Sequence, residues 1–347
     1  MGDYGKVVTG NTPPTKDIEN YENGTYLWAS PVDLGTIKSI TETKTMLSAQ
    51  GFSKTRTLPK GSVLVTCIGS TIGKAGMATK EMSTNQQINS IVVNDNNDNE
   101  FVYYAIQSAF PRYLSSIAVQ AVPIISKSAF ELLPNNRPYL QEQKKIGKFL
   151  SMLDERIATQ NKIIDKLQSL IKGIAHKVSK QGKPNIRLSE CLLCTSSTLQ
   201  ESDVAEVGAY PVYGANGIVG YLDTYNTTSE AIYIIKDGSG VGAVSCVKGK
   251  CSATGTLNIL QTKEGFSLRY LYFILKVFSF EPYKTGMAIP HIYFKDYGKA
   301  KIYCPSNQLQ CKYADLLSKI EQKATAEQKI LDNLCSQKQY LLCQMFI

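Results

Sequence analysis

Gly69-Ser70-Thr71-Ile72-Gly73-Lys74 has the residue types of a loop that cradles phosphate. Such a loop needs four residues between its glycines and a Ser or Thr after its lysine, so that a hydroxyl can ligate Mg²⁺. Here three residues intervene and Ala75 follows, which excludes that chemistry. Pro31-x-Asp33 with Glu42-x-Lys44 has the carboxylate–lysine content of a nuclease site, but Val32 intrudes. Asn11-Thr12-Pro13-Pro14 is split by threonine and followed by no aromatic, so it is not an amino-methyltransferase motif. His176 and His291 stand apart from paired carboxylates and do not make a hydrolase. Cys191-x-x-Cys194 with Cys246-x4-Cys251 has spacings that zinc accepts. Leu192 and Leu193, however, make the first pair part of an apolar run, where free cysteine behaves as a small hydrophobe. The sequence thus predicts neither a catalytic constellation nor a metal site, and no glycine-rich cofactor loop.

The elements that would carry any other site follow from length and pattern. A chain of 347 residues should hold more than one core. Apolar content of 43% and charged content of 19% describe an ordinary globular protein. No run approaches the roughly 18 apolar residues of a membrane span. The opening Met1-Gly2-Asp3-Tyr4-Gly5-Lys6 has no apolar core of a signal peptide, and Lys6 breaks the myristoylation pattern. Nine scattered cysteines are odd in number and point to a reducing, cytoplasmic compartment. The net charge of +9 is uneven: +1 over residues 1–138, +6 over 139–183, and +1 over each of 184–305 and 306–347. A basic balance favours polyanionic partners.

The chain repeats itself. Ala121-Val122-Pro123-Ile124-Ile125 matches Ala288-Ile289-Pro290-His291-Ile292, with the prolines 167 residues apart. The same offset joins Pro138 to Pro305, Gln143 to Gln310, Leu150 to Leu317 and Asp165 to Asp332. Upstream the offset becomes 169: Gly69-Ser70-x-x-Gly73 matches Gly238-Ser239-x-x-Gly242, Asn89 matches Asn258, and Tyr103 matches Tyr272. Further upstream the copies diverge and no alignment is secure. The organisation is domain, helix, domain, helix, with boundaries at 1–138, 139–183, 184–305 and 306–347.

Residues 139–180 carry a heptad pattern. Its seam is Ile146, Leu150, Leu153, Ile157, Gln160, Ile164, Leu167, Ile171, Ile174 and Val178. Adding 167 gives a weaker seam in the same phase: Tyr313, Leu317, Ile320, Ala324, Glu327, Leu331, Leu334, Lys338, Leu341 and Met345. A sustained 3.5-residue apolar period on two helices predicts a coiled coil. Pro138 and Pro305 hold the residues before them out of helical geometry, which places both helix starts there. Gln160 and Glu327 interrupt the seam; register-setting and a local splay are both open on sequence alone. Lys144, Lys145, Lys148, Lys162 and Lys166 mark an outer basic face, open between a solvated surface and a contact with DNA or an acidic partner.

Each globular copy mixes β-branched stretches with glycine turns. Residues 62–68, 88–93, 231–235 and 256–260 read as strands, and 101–110 and 268–278 as amphipathic helices. The ordered elements Gly10-Asn11-Thr12-Pro13-Pro14, Tyr26-Leu27-Trp28, Leu58-Pro59-Lys60-Gly61, Gly69 to Lys74 and Asn85-Gln86-Gln87-Ile88 resemble the target recognition domain of type I restriction–modification specificity subunits. Tyr210-Pro211-Val212-Tyr213-Gly214-Ala215-Asn216-Gly217 and Asp237-Gly238-Ser239 resemble another common variant of that domain. The helices are similar to the family's central and distal regions, so the resemblance spans essentially the whole chain. One departure is the start: the second copy has Asn185-Ile186-Arg187 ahead of Leu188, whereas the first has only a few residues there, which implies that it lacks an edge strand.

The resemblance implies an α+β fold, with two mixed α/β target recognition domains in tandem. Each is followed by a long helix, and the helices pair as an antiparallel coiled coil that acts as a ruler. It implies a non-catalytic chain that reads an asymmetric bipartite target in double-stranded DNA. It also implies methyltransferase subunits and restriction/translocase subunits as partners, with S-adenosylmethionine, ATP and Mg²⁺ held there and no cofactor in this chain. Arg or Lys suits guanine, and Asn or Gln adenine. The expected DNA contacts are Lys54, Arg56, Ser70, Thr71, Lys74, Gln86 and Gln87 in the first copy. In the second they are Tyr213, Asn216, Lys236, Ser239, Thr254, Lys284 and His291. Asn85, Gln86 and Gln87 precede a strand, so satisfying buried backbone groups stays open as their role. A coiled-coil scaffold without a DNA role and a stand-alone DNA-modifying enzyme are the competing functions.

Overall fold

The computed structural model describes residues 1–35, 37–116, 123–238, 240–286 and 289–346. The chain divides into two compact units, residues 1–159 with 330–347, and residues 160–329. Each unit therefore takes one globular copy and part of each long helix. Ser239 and the repeat residues Ala121, Val122 and Ala288 lie outside the described residues.

The first unit begins with β1 (Gly5–Thr9), β2 (Tyr26–Ala29), β3 (Ser39–Ile40) and β4 (Thr45–Leu47). Helix α1 (Ala49–Ser53) follows, then β5 (Thr57–Leu58), β6 (Val63–Thr66), β7 (Ala75–Ala78), β8 (Met82–Thr84) and β9 (Ile88–Val93). One sheet has the order β1-β9-β6-β7-β3, the other β4-β2-β8-β5. Strand β6 is central, so all four of its residues are buried; this is why it reads as an unbroken apolar run. Helix α2 (Asn99–Ser116) packs on this sheet through Phe101, Val102, Ala105 and Ile106. It runs past the expected end at 110 and through Pro111. Helix α3 (Lys127–Leu132) returns Phe130 to the same core.

Helix α4 (Leu140–Ser179) has 40 residues, about 60 Å of helix at roughly 1.5 Å per residue. It starts two residues after Pro138. The second copy then supplies β10 (Ile186–Arg187), α5 (Leu188–Cys191), β11 (Leu192–Ser196), β12 (Tyr210–Gly214) and β13 (Gly217–Leu222). Strands β14 (Ala231–Ile235), β15 (Val244–Val247), β16 (Ser252–Ala253) and β17 (Leu257–Thr262) lead into α6 (Leu268–Leu275). The chain closes with α7 (Phe294–Tyr297), β18 (Lys301–Ile302) and α8 (Asn307–Met345), which starts two residues after Pro305. The sheets are β11-β17-β14-β15, β13-β12-β16 and β10-β18.

The two copies share a framework that sequence could trace only from β6 onward. The antiparallel pair β1·β9 corresponds to β11·β17, and the parallel pair β2·β8 to β12·β16. Trp28 opposite Ser83 thus corresponds to Val212 opposite Ser252. The β10·β18 pair belongs to the second copy; among the described residues the first copy has no strand pair at that place. No described helix is long and apolar enough to cross a membrane.

Every expected seam residue is buried or half-buried: Ile146, Leu150, Leu153, Ile157, Ile164, Leu167, Ile171 and Ile174 on α4, and Leu317, Ile320, Leu331, Leu334 and Leu341 on α8. In the first unit Asp154 of α4 pairs with Lys338 of α8 at 2.6 Å. In the second unit the two polar seam residues meet each other. The Gln160 Nε2 donates to the Glu327 backbone carbonyl at 3.0 Å and to its carboxylate, and Lys323 pairs with the same carboxylate at 2.5 Å. The seam is therefore closed at this point, the two polar seam residues being each other's partners. The Lys323 ammonium first, and then the Gln160 amide, hold the Glu327 carboxyl below its ordinary range. A carboxyl depressed on folding contributes stability at neutral pH that is lost as pH falls through its folded-state value. Acid titration of thermal unfolding should show this loss in the native chain, and Glu327→Gln should lack that component.

Candidate nucleic-acid interface

Each copy builds one loop-rich end from a repeated set of backbone hydrogen bonds. In the first copy the Cys67 amide donates to the Gln87 carbonyl at 2.8 Å, Ile125 to Cys67 at 2.8 Å, and Gly69 to Pro123 at 3.0 Å. In the second, Lys236 donates to Thr256 at 2.9 Å, Ile292 to Lys236 at 2.9 Å, and Gly238 to Pro290 at 3.1 Å. Gly69 and Gly238 hold φ of 94° and 95°, a left-handed turn that favours glycine. The loop after the central strand is thus pinned to the strand beside it and to the segment that leads into α3 or α7.

On the first copy's framework, several side chains converge. Asn11 leaves β1 and spends its amide on the neighbouring segment: its Oδ1 accepts from the Arg56 backbone amide at 2.8 Å, and its Nδ2 donates to the Lys54 carbonyl at 2.9 Å. Arg56 donates one guanidinium N–H to the Thr9 carbonyl at 2.8 Å. Thr12 donates to the Gln86 Oε1 at 2.6 Å. The Gln87 amide N–H donates to Asn85 Oδ1, and Asn85 Nδ2 donates to Gln87 Oε1, both at 3.0 Å. Lys54, Arg56 and Gln86 are exposed, as is Ser70; Gln87 and Thr71 are half-buried. Lys54 also pairs with Asp17 at 3.5 Å and reaches Asn20 Oδ1 at 2.9 Å. Lys74 extends elsewhere, over Gly35, where an added Cβ would lie 2.8 Å from its Cδ. Asn11, Thr12 and Asn85 were not among the expected contacts. Their signal was present in two of the motifs that carry the family resemblance, Gly10 to Pro14 and Asn85 to Ile88.

The second copy fills the corresponding end differently. Tyr213 packs edge-on against Tyr233 with ring centroids 5.9 Å apart, and its carbonyl accepts from the Thr254 amide at 2.9 Å. Burial raises the Tyr213 hydroxyl above its ordinary range. His291 and Thr285 exchange two backbone bonds, and His291 Nδ1 lies 3.5 Å from Asp237 Oδ1. Lys284 is paired with Glu281 at 2.5 Å, and Asn216 is exposed at the turn between β12 and β13. Thr254 needs a correction: it is 1% exposed and shares a 2.8 Å hydroxyl contact with Thr256, so it supports the end from within. Asp237, part of a motif that carries the family resemblance but not one of the expected contacts, stands on this surface beside His291.

Of the four cysteines with zinc-like spacings, Cys191 and Cys251 are buried and Cys194 and Cys246 half-buried. Cys191 donates to the Leu188 carbonyl at 3.3 Å. Burial pushes the thiols of Cys191 and Cys246 up to about 12 and that of Cys194 up to about 11. A thiol that resists ionisation is a poor nucleophile, and among the described residues no three or more His, Cys, Asp or Glu side chains group as a metal site.

The model of one family, the type I restriction modification DNA specificity domain, matches residues 1–169 and again residues 191–335. The chain belongs to this family. Its relatives include the MjaIX specificity subunit of Methanocaldococcus jannaschii, 30% identical over 174 residues, which is 48% of this chain and 40% of that protein. The HindI specificity subunit of Haemophilus influenzae is 28% identical over 181 residues, 49% of this chain and 39% of that protein. The match thus spans about two fifths of each curated relative. The fold is that of a type I restriction–modification S subunit from M. genitalium, with a TM-score of 0.67 at 21% identity over 99% of this chain and 93% of that one. A chain from a structure on complex assembly of the type I R-M system gives 0.56 at 16% identity, over 97% and 96%. The two family matches coincide with the two copies: one runs from β1 into α4, the other from the end of α5 into α8. The tandem α+β architecture with long helices is therefore the family's fold.

Proposed function

We propose that this chain is the DNA sequence-specificity subunit of a type I restriction–modification enzyme, reading an asymmetric bipartite target. The observation that carries this reading is one framework presenting two different rims. The same backbone bonds hold Cys67 and Gln87 in one copy and Lys236 and Thr256 in the other. Ile124 stands at the first rim where His291 stands at the second. Backbone contacts to phosphate position a reader and side chains at base edges specify sequence, so two rims imply two unlike half-sites.

The chain itself holds no cofactor in this reading and performs no chemistry. S-adenosylmethionine belongs to methyltransferase partners, and ATP with Mg²⁺ to restriction/translocase partners, in the cytoplasm. The long helices supply a surface for such partners. One flank of each helix is buried against its globular core through Ala175, Ala314 and Leu342. The other flank leaves apolar residues exposed at heptad spacing: Ile163 and Leu170 on α4, and Leu309 and Leu316 on α8, in the second unit. Phe149 and Ile330 continue the same positions in the first. An apolar stripe at seven-residue spacing suits a docked helix.

The test is methylome sequencing of cells that make this chain with its cognate methyltransferase subunit, against cells lacking only this chain. A split, asymmetric motif with modified adenine on both strands is the expected result. Two expressed, associated proteins that leave the methylome unchanged would return the chain to the class of helical scaffolds.

A further inference from the structure

We infer that the first copy reads guanine in its half-site through the amino group of Gln87. The inference rests on the reading of the chain as a DNA reader and names the base that one side chain takes. Gln ordinarily reads adenine with both ends of its amide, accepting from N6 and donating to N7. Gln87 commits one end of its amide to a neighbour. The backbone N–H of Gln87 donates to Asn85 Oδ1, which fixes the orientation of the Asn85 amide. The Asn85 Nδ2 then faces the Gln87 side chain, so the Gln87 atom that meets it is the acceptor, Oε1. Asn85 is buried, 7% exposed, which turns the Gln87 oxygen inward. The Gln87 Nε2 is left beside Gly69, where even an added Cβ would stand 3.9 Å away.

The neighbouring groups point the same way. Thr12 occupies the Gln86 oxygen, so Gln86 also presents its amino group. Arg56 spends one N–H on Thr9, and a guanidinium has four more. The rim therefore offers donors. Among the major-groove edges, guanine alone places two acceptors, N7 and O6, side by side without a donor.

The experiment is the same methylome comparison, with the full chain and its methyltransferase subunit, for two variants. Gln87→Thr installs the residue that the second copy carries at this place on the same backbone bonds, so the framework accepts it. It should relax one position of one half-site by roughly tenfold or more, and that position should be guanine in the native motif. Asn85→Asp offers only acceptors, so the Gln87 amide must turn and present its oxygen. That position should then shift toward adenine or cytosine, whose edges carry a donor. The other half of the motif reports folding in both variants and should not change. Relaxation at an A·T pair, or a native motif untouched by Gln87→Thr, overturns the inference while leaving the DNA reader in place. If Asn85→Asp abolishes methylation altogether, Gln87→Thr decides alone. A native chain that directs no motif overturns the functional reading and this inference together.

Discussion

Leu150→Ala should destabilise the first unit by about 2–5 kcal/mol, and Leu317→Ala the second by a similar amount. Leu150 is 0% exposed and sits among Val63, Phe101, Tyr104 and Phe130. Leu317, its counterpart 167 residues on, is 1% exposed and sits in the core of Tyr270, Phe273 and Ile292. Both leucines are seam residues by periodicity, yet both belong to a globular core as well. Their truncation opens a cavity where helix, sheet and second helix meet. Hydrogen exchange read by mass spectrometry distinguishes the sites. Leu150→Ala should accelerate exchange in β6, β9 and α2, and Leu317→Ala in β14, β17 and α6. A loss confined to the helices, with both sheets protected as in the native chain, would mean that these leucines serve the coiled coil only.

Gln143→Leu should cost more than Gln310→Leu, although the two glutamines are repeat equivalents. Both are buried, at 0% and 2% exposure. Gln143 donates to the Pro138 carbonyl at 2.9 Å and accepts from the Asp98 amide at 3.0 Å. Gln310 donates to the Pro305 carbonyl at 2.9 Å and accepts from the Ser267 amide at 3.0 Å. Each thus clamps the first turn of its long helix to the start of the domain helix. Gln143 has a third partner, the Asn97 Oδ1 at 3.1 Å. Each buried group left without its hydrogen bond costs about 1–3 kcal/mol. The first variant strands three such groups and the second two. Denaturant titration should rank them in that order, with both well below the native chain. Equal losses would show that the Asn97 contact contributes nothing.

These clamps also mark where the sequence stops being legible. Gln143 and Gln310 were visible as repeat partners, but a glutamine 167 residues from another says nothing about what it holds. The strands β6 and β14 were readable because burial on both faces makes an apolar run, and β9 and β17 because β-branched and aliphatic residues recur within them. Strands β3, β5, β16 and β18 were not, because two-residue strands carry no period. Helix α2 passes through Pro111 although proline usually ends a helix, an override that only packing can supply.

By itself the sequence determined the tandem repeat, the two heptad seams, the absence of a phosphate loop and the family to which the chain belongs. The repeat and the seams are properties of spacing, and spacing is written along the chain; the family resemblance rests on ordered residue motifs instead. The tertiary structure decided which polar residues share a rim. Asn11, Arg56 and Gln87 are far apart in sequence and are brought to one end by the pairing of β1 with β9 and by loops hydrogen-bonded across strand ends. It also decided which way an amide faces, since the orientation of Gln87 is set by Asn85 and a backbone N–H. And it closed the seam at Gln160 and Glu327, two polar residues that periodicity could only record as interruptions. Long-range contact chooses among the options that local pattern leaves open, because a side chain's partner is a matter of position in space.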